Sequence, residues 1–208
     1  MKYTNLFLVL IVALFTLSCG DDKDEPNVQP TNNELSIEPY FKYVGQSLTE
    51  IQNDFSIPLD DNLRNFYLRN QWIYNQKFDI IFWVTTETPC SSVRIKRSDE
   101  KTTTFEHFKL FTKEAFSSLG EPRYTAVYYY PNAGGSSDYE VIFQVNTPKK
   151  KGAYEETISF AEKNNISKYG HACEMIWEKN NYKIRYYFST ELSELYISFY
   201  IDITKKTN

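Results

Sequence analysis

The chain of 208 residues carries 23 lysines and arginines against 27 aspartates and glutamates, a net charge of −4. The acidic excess belongs to residues 20–39, which hold six acids against one lysine, whereas the body from residue 40 onwards is net neutral. A neutral body lacks the basic stripe that neutralises phosphates, and this excludes nucleic acid as the expected partner. About 170 residues remain for folding, enough for one domain with its own hydrophobic core.

The first 18 residues have the pattern of a signal peptide. Lys2 supplies a positive charge, and the apolar run from Leu6 to Leu17 is interrupted only by Thr16. A run of this length suits a signal peptide and is too short for a helix that spans a bilayer. We therefore expect residues 1–18 to direct export.

A cysteine motif follows at the end of this segment. Thr16-Leu17-Ser18-Cys19 resembles the lipobox of bacterial lipoproteins. The resemblance implies that a diacylglycerol is attached to the Cys19 thiol, that the chain is cleaved just before Cys19, and that the new amino group is acylated. Two or three acyl chains anchor a protein stably, whereas one holds it only marginally. The expected partner is therefore a membrane, reached through the lipid anchor.

Four acids follow this cysteine almost at once: Asp21, Asp22, Asp24 and Glu25. The tract resembles the export signal of surface lipoproteins in Bacteroidota-type bacteria, which implies an outer-membrane protein that faces the cell exterior. The alternative is a solvated spacer that its own charges extend. Residues 19–39 are expected to form the lipidated, flexible linker, and residues 40–208 a single folded domain.

The first half of the domain is predicted to contain one helix followed by strands. Ser47 and Glu50 form the capping box of a short helix. A tight turn at residues 75–76 joins two strands, and the run 80–84, which is apolar on both faces, indicates a central, covered strand. Residues 93–97 alternate between apolar and basic side chains, which indicates a strand near the edge of the sheet.

The second half repeats helix and hairpin. Thr103 and Glu106 predict another capping box, at the start of a helix that ends at Gly120. A hairpin with a glycine-containing loop at residues 131–138 comes next. A helix around residues 154–161 and three further strands complete the chain.

These elements predict an α+β fold, a mainly antiparallel sheet covered on one face by about three helices, with repeated helix–hairpin units. The segments Tyr43-Val44-Gly45-Gln46-Ser47 and Leu119-Gly120-Glu121-Pro122 resemble parts of small exported lipoproteins of the SmpA type and of the β-lactamase-inhibitor fold. This resemblance implies an architecture and carries no function.

Aromatic residues are the main candidates for ligand contact. The chain holds 17 tyrosines, 15 phenylalanines and 3 tryptophans. Most are expected in the core or in cross-strand pairs, and those that reach solvent form interface anchors or stacking platforms. Tyr128, Tyr130 and Tyr139 flank the glycine loop and are the candidate ligand contacts.

The sequence contains no familiar catalytic or metal-binding pattern. No nucleophile elbow, zinc helix, phosphate loop or dinucleotide turn occurs, so we predict no catalytic residue, no cofactor and no enzyme activity. His171 and Cys173 stand close together, but zinc needs two more ligands and His107 is the only other histidine, so no metal site is expected. Cys90 and Cys173 either form a disulfide, as an even pair in an exported protein can, or remain buried thiols.

The sequence therefore favours a surface-tethered lipoprotein that acts as a binding module for a protein or a glycan. The alternative is a structural or envelope-assembly lipoprotein that faces the periplasm. A hydrolase is less favoured, because no pair of catalytic side chains can be identified from sequence spacing.

Overall fold

The computed structural model describes residues 37–55, 65–73, 76–98, 103–131, 139–146, 150–168, 170–190 and 197–206. The strands are β1 (Phe66–Ile73), β2 (Gln76–Trp83), β3 (Ser92–Arg97), β4 (Tyr124–Tyr129), β5 (Glu140–Val145), β6 (His171–Lys179), β7 (Tyr182–Thr190) and β8 (Ile197–Lys205). The helices are α1 (Leu48–Asp54), α2 (Phe105–Leu119) and α3 (Ala153–Lys163), with a 3-10 helix at Glu38–Tyr43 before them.

The strands form one sheet in the order β1-β2-β3-β8-β7-β6-β4-β5. Every neighbouring pair is antiparallel. The predicted α+β class and the mainly antiparallel sheet are therefore confirmed. The two edges of the sheet are β1 and β5.

Two strands lie in positions other than those predicted. β3 is not near an edge, because it pairs with β2 on one side and with β8 on the other. Two of its basic residues do not face open water: Arg94 lies opposite Asp202, and Arg97 is only 8% exposed. β2 is second from the edge and is not covered on both faces, because Trp83 is 39% exposed.

One face of the sheet carries the hydrophobic core. The ring of Phe111 on α2 lies 5.2 Å from that of Phe78 on β2. Phe108, one turn earlier, lies 6.0 Å from both Phe188 on β7 and Phe199 on β8. All five side chains are at most 1% exposed. Because side chains alternate along a strand, the residues between them point to the opposite face.

The ends of two helices follow the predicted signals. The Ser47 side chain accepts from the backbone N–H of Glu50, and the Glu50 side chain accepts from that of Ser47, so the first capping box is confirmed. α2 ends before Gly120, which has φ +76°, a conformation that glycine adopts without strain. The helices are therefore limited by local sequence as well as by packing.

The second capping box lies one residue later than predicted. Thr104 precedes α2 in place of Thr103, and His107 occupies the position assigned to Glu106. Nδ1 of His107 accepts from the backbone N–H of Thr104 at 3.1 Å, as a Glu or Gln oxygen would. Burial and the positive charge of Arg97 lower the pKa of His107, which favours the neutral, accepting ring.

The core extends into the segment predicted as linker. Ile37 is only 5% exposed, and the 3-10 helix begins at the next residue, where Glu38 pairs with Lys179 of β6. Burial of an apolar side chain explains why the fold includes these residues. Residues 1–36, with the signal peptide, Cys19 and the acidic tract, lie outside the described residues.

Candidate functional site

The three tyrosines predicted to contact a ligand lie close together on the sheet face opposite the core. The ring of Tyr139 lies 5.2 Å from that of Tyr128 in an edge-on contact and 5.9 Å from that of Tyr130. Tyr139 is 55% exposed, whereas Tyr128 is 8% exposed. Tyr139 is thus the accessible member of the cluster, and Tyr128 is a supporting one. The glycine loop at residues 132–138 lies outside the described residues.

Hydrogen bonds connect these tyrosines to the neighbouring strands. The Tyr128 hydroxyl donates to Oε2 of Glu174 on β6 at 2.7 Å and lies 3.0 Å from the Tyr124 hydroxyl. The Tyr130 hydroxyl lies 3.3 Å from that of Tyr187 on β7. Burial and the bonds to Tyr124 and Glu174 raise the pKa of Tyr128, so its hydroxyl stays protonated and keeps donating.

Glu174 joins the tyrosines to a guanidinium. It is 7% exposed, and its Oε1 accepts from Nε of Arg185 on β7 at 2.6 Å. The Arg185 guanidinium lies 4.8 Å from the centre of the Tyr187 ring, and one of its terminal nitrogens donates to the Tyr200 hydroxyl at 3.3 Å. Both carboxylate oxygens of this nearly buried acid are therefore satisfied, as a buried charge requires.

A second arginine continues the arrangement towards β2. The rings of Tyr187 and Tyr200 stack at 5.0 Å, and the guanidinium of Arg94 on β3 lies 4.1 Å from the centre of the Tyr200 ring. Arg94 holds both oxygens of Asp202 on β8, with distances of 2.7 and 3.0 Å. The same guanidinium lies 5.9 Å from the Trp83 ring, so the contacts extend from Tyr139, just before β5, to β2.

We call this surface the aromatic–ionic face; its members are Trp83, Arg94, Tyr124, Tyr128, Tyr130, Tyr139, Glu174, Arg185, Tyr187, Tyr200 and Asp202. Strand register explains why they meet. Two cross-strand rows form its centre. The first row has alternating charges and consists of Arg94, Asp202 and Arg185. The second row has two tyrosines and a carboxylate and consists of Tyr200, Tyr187 and Glu174. Opposite charges and aromatic pairs directly across strands are the favourable combinations on a sheet.

The arrangement offers a preorganised surface for binding. Its hydrogen bonds and stacked rings hold the side chains in place before a ligand arrives, which lowers the entropy that binding costs. The exposed aromatic residues at its two ends are Trp83 and Tyr139, 39% and 55% exposed. Rings of this kind bind apolar ligand surfaces, and guanidinium forks bind planar acceptors.

Cys90 and Cys173 are free thiols in the structure, so the disulfide considered from the sequence is not formed. Cys90 is 2% exposed and its Sγ donates to the backbone oxygen of Ser92 at 3.2 Å. Burial raises the pKa of Cys90 to about 11 and also raises that of the fully buried Cys173. Neutral, buried thiols are poor nucleophiles. Within the described ranges, no group of three or more metal-ligating side chains occurs.

The other residues of this face were not predicted as contacts from the sequence. On β7, Ile184, Tyr186 and Phe188 point to the core, and Arg185 and Tyr187 lie between them. Alternation of this kind is visible in the sequence and could have assigned the outward positions. The order of the strands, which sets β8 beside β3, has no such local signal.

No protein-family model matches the chain, and no curated protein or solved structure shows significant similarity to it. Among the residues that the structure describes, no helix is long and apolar enough to cross a membrane. The functional interpretation therefore depends on the chemistry of the aromatic–ionic face itself.

Proposed function

We propose that this chain is a lipid-anchored outer-membrane protein that binds a protein or a glycan through its aromatic–ionic face. The observation that carries the proposal is the pair of exposed aromatic side chains, Trp83 and Tyr139, at the two ends of an ordered network. Contact between large aromatic side chains and water is unfavourable. A ligand that covers these side chains removes them from water, and this burial favours binding, as it does for aromatic anchors in protein interfaces.

The proposal includes a finer architecture, in which three helices cover the opposite face of the sheet as helix–hairpin units. The order of elements supports it, because α1 precedes β1–β2, α2 precedes β4–β5, and α3 precedes β6–β7. The helix contacts also support it: the ring of Phe55, directly after α1, lies 5.9 Å from that of Phe82 on the core face. Such an arrangement leaves the aromatic–ionic face to the ligand.

The chemistry of the face suits ligands that combine flat apolar surfaces with hydroxyl or carbonyl groups. Exposed aromatic rings can stack on sugar rings or on the side chains of a protein. The guanidinium groups of Arg94 and Arg185 are planar donors, and Glu174 and Asp202 accept. Both a glycan and a protein surface present this combination, and the binding assay below distinguishes them.

The test removes one exposed ring and compares it with a matched tryptophan. Trp83→Ala takes away one end of the face, and Tyr139→Ala takes away the other. Trp72→Ala is the control, because Trp72 is 36% exposed on β1 and lies on the same face beside Lys77, outside the network. The measurement is binding of the purified full chain to an array of polysaccharides, glycoproteins and non-glycosylated proteins.

We expect Trp83→Ala and Tyr139→Ala to weaken binding to the same spots by roughly tenfold or more, the effect of an interface anchor. Trp72→Ala should bind like the native chain. Loss of binding after enzymatic deglycosylation identifies the ligand as a glycan, and retention identifies a protein. Equal effects of all three substitutions, or none, would reject this face as the recognition site.

The anchor and its location are tested separately. Cys19→Ala should release the protein from membranes, because it removes the proposed acylation site. Protease treatment of intact cells should cut the native chain, whereas a variant with the four acids at positions 21, 22, 24 and 25 changed to amides should be protected. If both chains are protected until lysis, the protein faces the periplasm and an envelope-assembly role replaces surface recognition.

A further inference from the structure

Within the part of the chain that the structure describes, the outer edge of the sheet at β5 is apolar and carries little of the charge that usually protects an edge strand. Among the described strands β5 pairs only with β4, and its sequence contains one charged residue, Glu140, and no proline. Val141 is 42% exposed, and Ile142 and Phe143 are half-buried. Natural proteins protect such edges with charges, prolines or bulges, or cover them.

The opposite edge shows that protection. β1 has a bulge between Leu68 and Gln71, where Asn70 adopts φ +53° and its N–H donates to Asp79 at 3.0 Å. β5 also has an irregularity, at Ile142, but there the side chain packs against the core cluster. The bulge in β5 therefore adds an apolar side chain beside α3 and leaves the edge apolar.

A groove runs between this edge and α3. It is open, has a volume of about 460 Å³, and is lined by Phe143, Glu155, Glu156, Ser159, Phe160 and Lys163. Phe143 of β5 and Phe160 of α3 form its apolar part, with rings stacked at 4.7 Å. Both rings are only half-buried, so part of this aromatic pair remains in contact with water.

Two opposite charges at the ends of the groove have no ion-pair partner among the described residues. Glu156 is paired with Lys150 at 2.8 Å, but Glu155 and Lys163 make no such contact. They stand eight residues apart on α3, about 12 Å along the axis, too far to pair with each other. Ser159, a small exposed residue, lies midway between them.

We propose that two copies of this chain form a dimer across this groove, around a two-fold axis beside Ser159. Such an axis makes the two α3 helices antiparallel and places Glu155 of each copy opposite Lys163 of the other, because both lie four residues from Ser159. The small serine permits close approach of the helices. The same surface thus serves both copies, as in the isologous interface of a two-fold dimer.

The dimer also covers what the single chain leaves exposed. The phenyl pairs of the two copies meet at the axis, and the β5 edges lie antiparallel to each other. Antiparallel pairing keeps the same side of both sheets facing outward, so the two aromatic–ionic faces point in one direction. If the proposed function holds, the dimer can bind two sites of a repeated ligand with increased avidity. The test of the dimer uses no ligand, so the dimer and the ligand-binding function can each fail without the other.

The first test is a cysteine on the axis. Ser159→Cys places two thiols next to each other only if the two-fold passes there. Cys90 and Cys173 are buried, and Cys19 is present in the control as well. The control is Ser117→Cys, an exposed serine on α2. With purified full chain oxidised by copper–phenanthroline, we expect Ser159→Cys to form disulfide-linked dimer at least about tenfold faster than the control. Equal rates would overturn the proposal.

The second test exchanges the charges in the Ser159→Cys background. Glu155→Lys alone, or Lys163→Glu alone, brings like charges together at both contacts and should slow crosslinking about tenfold. An equimolar mixture of the two variants restores both contacts, so heterodimers should form at the original rate. Rescue in the mixture also shows that both variants are folded. If the mixture stays as slow as each variant, the two-fold arrangement is wrong.

Discussion

The two faces of the sheet are built from adjacent residues of the same strands, but different interactions hold them. On β8, Phe199 and Ile201 are at most 1% exposed among the rings and aliphatic chains below the helices, whereas Tyr200 and Asp202, which alternate with them, belong to the aromatic–ionic face. The first pair is stabilised by burial alone. The second pair is stabilised by stacking and by charged hydrogen bonds, so only this face offers directional chemistry to a ligand.

The difference has an energetic consequence. Removing a buried phenyl ring loses its transfer free energy and leaves a cavity among residues that cannot collapse fully. A half-buried tyrosine on the other face has water on one side, which fills the space that its removal leaves. Substitutions on the core face should therefore act on stability, and those on the aromatic–ionic face should act first on binding.

The largest expected effect is that of Phe199→Ala, compared with Tyr200→Ala at the next position. Phe199 contacts the rings of Phe108 and Phe111, so we expect a loss of about 3–5 kcal/mol in the free energy of unfolding. Tyr200→Ala loses one ring stack, two cation–π contacts and the hydrogen bond from Arg185, for which we expect about 2–3 kcal/mol together.

Urea unfolding of both variants measures this pair directly. The native chain is the common reference, and far-ultraviolet circular dichroism before denaturation shows whether each variant starts folded. Phe199→Ala that fails to fold still agrees with the expectation. Equal losses for the two variants would contradict the assignment of different interactions to the two faces.

Local signals predicted the elements but not their neighbours in space. The Ser47 capping box and the helix end at Gly120 act within a few residues, and both appear in the structure as expected. His107 was missed because the capping-box pattern has Glu or Gln at that position. The prediction that β3 lies near an edge was wrong because its pairing with β8 joins residues about a hundred positions apart.

The candidate site divides in the same way. Tyr128, Tyr130 and Tyr139 could be grouped from the sequence because they flank one hairpin loop. Arg94 and Asp202 could not, since nothing local to either residue specifies the other. Long-range strand order must be known before the cross-strand rows of the face can be assigned.

A smaller effect is expected from Glu174→Gln, compared with Glu178→Gln on the same strand and face. Glu174 is nearly buried, and its loss of charge leaves Arg185 without its ionic partner, for an expected cost of about 1–3 kcal/mol. Glu178 pairs with Arg123 and Lys206, whose side chains are 55% and 35% exposed. Ion pairs between exposed groups contribute at most about 1 kcal/mol.

Chemical denaturation at low and high salt distinguishes these two carboxylates. The Glu178→Gln difference should shrink at high salt, because exposed charges are screened. The Glu174→Gln difference should persist, because Glu174 is nearly buried and salt screens its pair with Arg185 much less. The expectation is wrong if both differences disappear together when salt is added.

The smallest expected effect is the pH dependence of the stability that the His107 capping bond gives to α2. In the folded chain the pKa of His107 is lowered by burial and by Arg97, so the folded state binds this proton less readily than the unfolded state. The contribution of the neutral ring is complete above the unfolded pKa, about 6.5, and is lost as pH falls through the lower, folded pKa. We expect the loss to reach about 1 kcal/mol, the size of a capping interaction.

The comparison is with His107→Gln, whose amide oxygen can accept the Thr104 N–H at every pH. Urea unfolding at pH 7.5 and pH 5.5 should show that the native chain loses more stability on acidification than the variant does. The remaining titratable groups, His171 included, are common to both proteins, so the difference isolates His107. Protonation harms the native cap twice, because Nδ1 then carries a hydrogen and the ring brings positive charge to the N-terminus of α2. Parallel loss in both proteins would show that the capping bond to Thr104 does not depend on the neutral ring.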